Sequence, residues 1–318
     1  MKSNIKKLKK KNCAICINNN FELIEVSEMM FGTKHKFNYL LCKSCESLTI
    51  QNIPDNLEKY YPEKYYSFSN VKKGKLKSYL SYHKASHSLG AKNIIGGLLT
   101  FFFGENSNLK AIRFCGKEKK EKFILDVGSG AGKLLKKLDQ HGFTNLYGID
   151  PYLDKDVSIG NIKLRKGEII DLVKEEKKFD IILMSHVLEH IEDPIYALSN
   201  VTSILKKNGK VIVRVPISSS NAFKKHKNDW YQIDAPRHLF IPSLAGIFLL
   251  ANKLNLKIEK YFFDSTFAQF TASKNYSKGI PLINQSNSKL WEILYYGIRS
   301  YRLNKKEKGD QATFILTK

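Results

Sequence analysis

The stretch from Leu125 to Leu135, LDVGSGAGKLL, constrains this chain more than any other. A short apolar run, Phe123–Val127 (FILDV), leads into Gly128, Gly130 and Gly132, and Leu134, Leu135 and Leu138 then recur at helical spacing. An apolar run closed by glycines is the pattern of a buried parallel strand. Glycine lets the backbone turn tightly there and lets a ligand lie directly against it. A dinucleotide fingerprint would need glycine at position 133, where this chain has Lys133. Asp126 instead places an acid in the strand just before the loop, and a carboxylate there suits an ammonium and a sulfonium better than a pyrophosphate. Asp150 closes the next strand (LYGID), placed to accept both hydroxyls of a ribose.

Further strands follow at Leu146–Ile149, Ile162–Arg165, Phe179–Met184 (FDIILM), Lys210–Val215 (KVIVRV), Leu256–Phe263 and Ala312–Thr317. Between them a helix begins near Pro194 and carries Ile195, Leu198, Val201 and Leu205 on one face. Alternating strands and helices imply an α/β fold, a doubly wound seven-stranded sheet with helices on both faces. The last two strands come after the alternation ends and supply an antiparallel edge. The expected domains are a cysteine-bearing module at 1–50, a helical, tyrosine-rich connector or lid at 51–120, and the α/β domain at 121–318 with an insertion at about 265–310.

These residues resemble the class I S-adenosylmethionine-dependent methyltransferases. Asp126-x-Gly128-x-Gly130-x-Gly132 is similar to their first motif and Asp150 to their ribose-binding acid, and FDIILMSHVLEHIEDP (179–194) and LKKNGKVIVRVP (205–216) continue the likeness. The resemblance implies a Rossmann-like sheet and S-adenosyl-L-methionine as cofactor. It places Asp126, Gly128, Ser129, Gly130, Gly132, Asp150 and Ser185 at the cofactor, with Glu168 near the adenine.

The loop after the fourth strand faces the acceptor in this family. Members that methylate base amines usually carry Asp/Asn-Pro-Pro-Tyr there, whereas this chain has Ser185-His186-Val187-Leu188-Glu189-His190. That difference favours carbon or oxygen acceptors. His186, His190 and His238 are candidate bases, since imidazole titrates near neutrality. Equally, His190 and Glu189 serve to brace the loop by hydrogen bonds. The segment Asp229–His238 (DWYQIDAPRH) reads as an acceptor pocket with Trp230 or Tyr231 as a stacking wall, or as a structural turn around Pro236.

Cys13-x-x-Cys16 and Cys42-x-x-Cys45 match a four-thiolate site for structural Zn2+, each pair forming a knuckle that offers two sulfurs. A redox pair would need one CxxC at a helix start rather than two flanking a hairpin. Zinc ribbon, tyrosine-rich connector and methyltransferase core, in that order, resemble the sugar C-methyltransferases acting on nucleotide-linked deoxysugars. Leu57–Ser67 (LEKYYPEKYYS) is similar to their tyrosine-bearing segment over the substrate, which implies roles for Tyr65, Tyr66 and His238 in deprotonating the acceptor.

The formal charge of +23 draws nucleic acid, anionic lipid or phosphorylated substrates, or else records a lysine-rich composition. The leading expectation is a cytoplasmic enzyme of carbohydrate biosynthesis that methylates a small molecule, a sugar nucleotide or glycan precursor. An RNA-directed methyltransferase or RNA-binding protein using the zinc module and the basic surface is the alternative. No apolar run reaches the eighteen residues of a transmembrane helix. The longest, Ile94–Phe103 (IIGGLLTFFF), is expected as a buried core helix, with an interfacial helix at a membrane surface as its rival. The basic start MKSNIKKLKKK is followed by polar CAICINNN instead of the apolar stretch of a signal peptide, hence the cytoplasmic expectation.

Overall fold

The computed structural model describes residues 12–61, 74–116 and 120–318, and the structural statements below concern these. They form twelve strands: β1 Phe21–Ser27, β2 Lys36–Cys42, β3 Leu48–Ile50, β4 Ile124–Val127, β5 Leu146–Asp150, β6 Val157–Ile159, β7 Ile162–Lys166, β8 Phe179–Ser185, β9 Leu205–Pro216, β10 Phe240–Ile241, β11 Lys257–Phe263 and β12 Gln311–Thr317. Eight make one sheet in the order β11-β12-β9-β8-β4-β5-β7-β6, and the other four a small sheet in the order β1-β2-β3-β10.

In the large sheet β4 runs parallel to β5 and β8, β5 to β7, and β8 to β9. The chain's last strand, β12, inserts antiparallel between β9 and β11, so the antiparallel edge falls where two successive strands allow it. The expected count of seven is corrected to eight. Val157–Ile159 forms a short hairpin with β7 through Gly160, and three residues, two of them exposed, are too short a run to read as a strand from the sequence. Strand order reverses between β4 and β8, and the crevice beyond the carboxyl ends at such a point is where open α/β sheets bind ligands.

Both faces of the sheet are covered, which is why β8 reads as a continuous apolar run. Ile182 and Met184 point into one core with Leu198, Val201 and Leu250; Ile181 and Leu183 point into the other with Leu109, Ile112, Leu135 and Leu138. The helix Pro194–Ser203 starts as expected, capped by the Asp193 side chain, which accepts from the Ile195 and Tyr196 N–H groups at 3.1 and 3.0 Å. It stops one turn early. Leu205, expected on its apolar face, opens β9 instead because it pairs with Phe179.

The small sheet ties the N-terminal segment to the segment after β9, since β3 pairs with β10. Ile24, Val26, Tyr39, Leu48 and Ile50 pack with Phe223, Trp230, Ile233 and Leu239 from the segment after β9. Trp230, one of the two aromatics expected to wall an acceptor pocket, is taken up in this core. Its Nε1–H donates to Asp310 Oδ2 at 3.1 Å.

The expectation of a buried helix over Ile94–Phe103 is overturned. Ile94 is 86% exposed and Phe101 82%, with Leu98 and Phe103 also outward. The cause lies in the glycines. A Cβ on Gly96 would fall 2.2 Å from the His83 carbonyl oxygen and 2.7 Å from His87 Cβ. The small residues therefore face the neighbouring helix Lys75–Ser88, and the large ones face outward.

Candidate functional site

The turn after β4 uses the freedom of glycine directly. Gly128 and Gly132 have φ values of +66° and +70°. A side chain on Gly128 would bring its Cβ to 2.7 Å from Val187 Cγ2, so the loop after β8 closes directly onto this turn. Gly130 N–H donates to Asp150 Oδ2 at 2.9 Å, and Tyr152 N–H to Oδ1 at 2.9 Å, so Asp150 is oriented at the end of β5. Asp126 lies beneath the turn, 6% exposed. Burial first, and the nearby Asp150 second, push its carboxyl up to about 7. Ser129 Oγ is buried without a hydrogen-bond partner. A glycine-rich turn, a buried acid and an orphaned hydroxyl are together suited to a positively charged, nucleoside-bearing ligand.

Other expected cofactor positions are more peripheral. Glu168 is exposed and begins the helix Ile169–Lys174, its N–H donating to Asp171 Oδ2 at 2.9 Å. Ser185 ends β8, and its Oγ accepts from Asn108 Nδ2 at 3.1 Å. Asn108 borders a polar cavity of about 360 Å³ that Lys84, Glu105, Lys137, Arg214 and Asp264 also line.

The three histidines share one neighbourhood with different duties. His186 sits in the left-handed region at φ +56°. Its Nε2 is 2.5 Å from Arg214 Nη1 and its Nδ1 is 2.9 Å from Glu189 Oε1. A guanidinium only donates, so Nε2 accepts and Nδ1–H donates to Glu189. Both nitrogens are engaged, and His186 acts by holding Glu189. Arg214 is in turn fixed by Asp264, Nε to Oδ2 at 2.7 Å.

His190 Nδ1 lies 3.0 Å from the Arg237 carbonyl and 3.1 Å from Tyr61 Oη. His238 Nδ1 lies 2.8 Å from the Gln232 carbonyl. Carbonyls only accept, so both rings carry the hydrogen on Nδ1 and keep a lone pair on Nε2. The rings meet edge to face with centroids 4.7 Å apart. Burial, then His238, draws His190 down to about 4, so it is neutral at pH 7. Glu189 is fully buried. Burial pushes its carboxyl up, and the hydrogen bond from His186 with the surrounding imidazoles brings it down to about 2.

Tyr65 and Tyr66 lie outside the described residues. The tyrosine found over the site is Tyr61, which contacts His190 and stacks on Tyr152 with centroids 6.2 Å apart. Sequence reasoning also missed Arg237. This fully buried side chain pairs with Asp234 at 2.6 Å and Glu28 at 3.1 Å, and donates to the Tyr60 carbonyl at 3.0 Å. It thereby ties the N-terminal sheet and the tyrosine segment to the loop carrying His238. The Asp234–Arg237–His238 spacing was the available signal; Glu28, distant in sequence, gave none.

The two CxxC knuckles converge. Cys13 Sγ is 3.6 Å from Cys45 Sγ, Cys16 Sγ is 3.4 Å from Cys42 Sγ, and all four sulfurs lie within 4.8 Å of one another. Four thiolates about 2.3 Å from a central zinc would sit about 3.8 Å apart, so the donor set fits a tetrahedral site. The knuckles are anchored to the α/β domain, Ser243 Oγ donating to the Cys45 carbonyl and Ser218 Oγ to that of Glu46 at 2.6 Å.

Strand order and glycine-loop geometry define the sheet and cradle of a class I methyltransferase domain. The family described as "Methyltransferase domain" matches residues 103–261, half of the chain, and the chain belongs to that family. Among curated relatives, an uncharacterized methyltransferase of Alkaliphilus oremlandii is 31% identical over 37% of this chain and 57% of its own length. A ubiquinone biosynthesis O-methyltransferase of Pelagibacter ubique is 30% identical over 32% of this chain and 45% of its own. A tRNA U34 carboxymethyltransferase of Campylobacter fetus is 29% identical over 40% and 48%. The chain thus spans about half the length of these relatives. S-adenosylmethionine, the cofactor of the family, would meet here a buried carboxylate, Asp126, beneath the turn and an oriented one, Asp150, at the end of β5.

Proposed function

We propose that the protein transfers a methyl group from S-adenosylmethionine to an oxygen of a small polar acceptor, a sugar nucleotide or related glycan precursor. The observation that carries the reading is the Glu189–His190–His238 cluster, whose two imidazole lone pairs border the loop that closes on the cofactor turn. The bound cofactor supplies an electrophilic methyl on sulfur. The chain's own groups align the acceptor, exclude water and manage the proton its hydroxyl gives up. Tyr61 covers this side, and the polar cavity beside Arg214 and Lys84 suits an acceptor with an anionic group. The likeness to a relative named as an O-methyltransferase supports oxygen over carbon.

An RNA acceptor is less well supported, because the outer strand of the small sheet exposes Glu22, Leu23 and Glu25 rather than a basic face. Structural zinc in the cysteine cluster and a reducing, cytoplasmic setting belong to the same proposal, since the described cysteines are all free thiols. Among the described residues no helix is long and apolar enough to cross a membrane. The outward Ile94, Leu98, Phe101 and Phe103, with exposed Leu76 and the exposed Lys75, Lys77 and Lys92 beside them, form a surface for peripheral contact with anionic lipid. Flotation with phosphatidylserine vesicles should recover the protein, and Phe101→Ser with Phe103→Ser should abolish recovery. Equal flotation of the variant removes that contact.

The activity itself is tested by incubating the protein with methyl-labelled cofactor and a panel of sugar nucleotides. Label transfer in the wild type, lost in His238→Ala while cofactor binding persists, is the expected result. Transfer that is unchanged in His238→Ala and His190→Ala would discard the role given to the cluster.

A further inference from the structure

Glu189, His190 and His238 each place one ligand-type atom within 4.8 Å of the other two, well apart from the cysteine cluster in sequence. The free atoms are identified by what their neighbours occupy. His190 and His238 both commit Nδ1 to backbone carbonyls, which leaves each lone pair on Nε2. Glu189 commits Oε1 to His186, and its Oε2 is buried without a hydrogen-bond partner. A fully buried carboxylate oxygen with no donor is costly unless something positive meets it.

From this geometry we infer that Glu189, His190 and His238 form a divalent-cation site, distinct from the four-cysteine site. The inference deepens the proposed methyl transfer and rests on it for its purpose: a cation here would meet the acceptor oxygen. One carboxylate and two imidazoles suit a first-row divalent metal or zinc, with positions left open for water or an acceptor. The surroundings match what orients such ligands elsewhere. Each histidine donates its second ring N–H to a carbonyl, and the carboxylate is held by its own hydrogen-bond donor. Nearby Asp234, 3.9 Å from His238 Nε2, is already paired with Arg237. His186 is a positioning residue here, acting through Glu189 under the hold of Arg214.

The test uses the full chain with its cysteine site filled with zinc, titrated with Co2+ and read by visible absorption and metal analysis. One further equivalent of Co2+ is expected, with weak d–d bands and no thiolate charge-transfer band. Glu189→Gln and His238→Gln should each abolish it without changing the zinc content, and His186→Ala should weaken it about 10- to 100-fold. Wild-type stoichiometry decides the matter even if a variant does not fold. No extra Co2+ in the wild type, or undiminished Co2+ binding in both Gln variants, overturns the inference. Titration of the same sample with S-adenosylhomocysteine keeps the two ideas apart. Cofactor-product binding without Co2+ rejects the cation site alone, and Co2+ binding without it rejects the methyltransferase reading alone.

Discussion

Asp126 is buried beneath the cofactor turn, and burial with the neighbouring Asp150 raises its carboxyl from 3.8 to about 7. A folded-state value above the unfolded one means that the folded chain holds this proton more tightly. The penalty is therefore absent below about pH 3.8, grows between 3.8 and 7, and levels off above 7. Three units at about 1.4 kcal/mol each give a destabilisation of about 4 kcal/mol at pH 8. Of this, roughly 2–3 kcal/mol accrues between pH 5 and pH 8, most of it below pH 7. Asp126→Asn keeps the shape and removes the charge, so its stability relative to the wild type should improve by that amount between the two pH values. A chain of this length unfolds with an entropy of roughly 0.7 kcal/mol/K, which converts the gain to about 4 °C. The assay is the melting temperature of cofactor-free wild type and variant at pH 5 and pH 8. The buried Asp310, raised to about 6, is present in both proteins and cancels. The same variant should lose affinity for S-adenosylmethionine, whose ammonium loses its counter-ion. Equal shifts at both pH values, or a variant less stable at pH 8 than at pH 5 relative to wild type, would refute the reasoning.

Two further outcomes follow from the packing. Arg237→Ala leaves Glu28 and Asp234 buried without their cation and should cost about 3–5 kcal/mol in denaturant unfolding; a loss below about 1 kcal/mol would show that water replaces the guanidinium freely. Removal of zinc with a chelator, or Cys42→Ser, should lower the melting temperature of the whole chain in one transition. The knuckles share a core with Val213, Ile217 and Phe240, so a separate melt of the N-terminal segment would contradict this.

The cofactor half of the site was legible because it is local. A strand, three glycines and two acids at fixed spacing lie within 27 residues, Ile124 to Asp150, and the chain folds there as that pattern demands. The seven long strands were readable for the same reason, whereas β6 has only three residues and no buried face. Apolar content at Ile94–Phe103 was visible, but its direction was set by Gly96 against His83, a contact between helices that periodicity does not report. Four tyrosines in LEKYYPEKYYS offered equal claims to the site. Tyr61 is the described one that reaches His190, a pairing across 129 positions. The histidines stand out in the sequence as a group, but their division into a brace and two rings bonded to carbonyls depends on Arg214, Arg237 and Gln232, which carry no motif.

The most direct test of the account is calorimetric titration of the zinc-loaded protein with S-adenosylhomocysteine, set beside Asp150→Ala. The account predicts binding on the order of micromolar, about −8 kcal/mol, that the variant loses while its fold is retained. A well-folded wild type that binds neither S-adenosylmethionine nor its product would contradict the central claim.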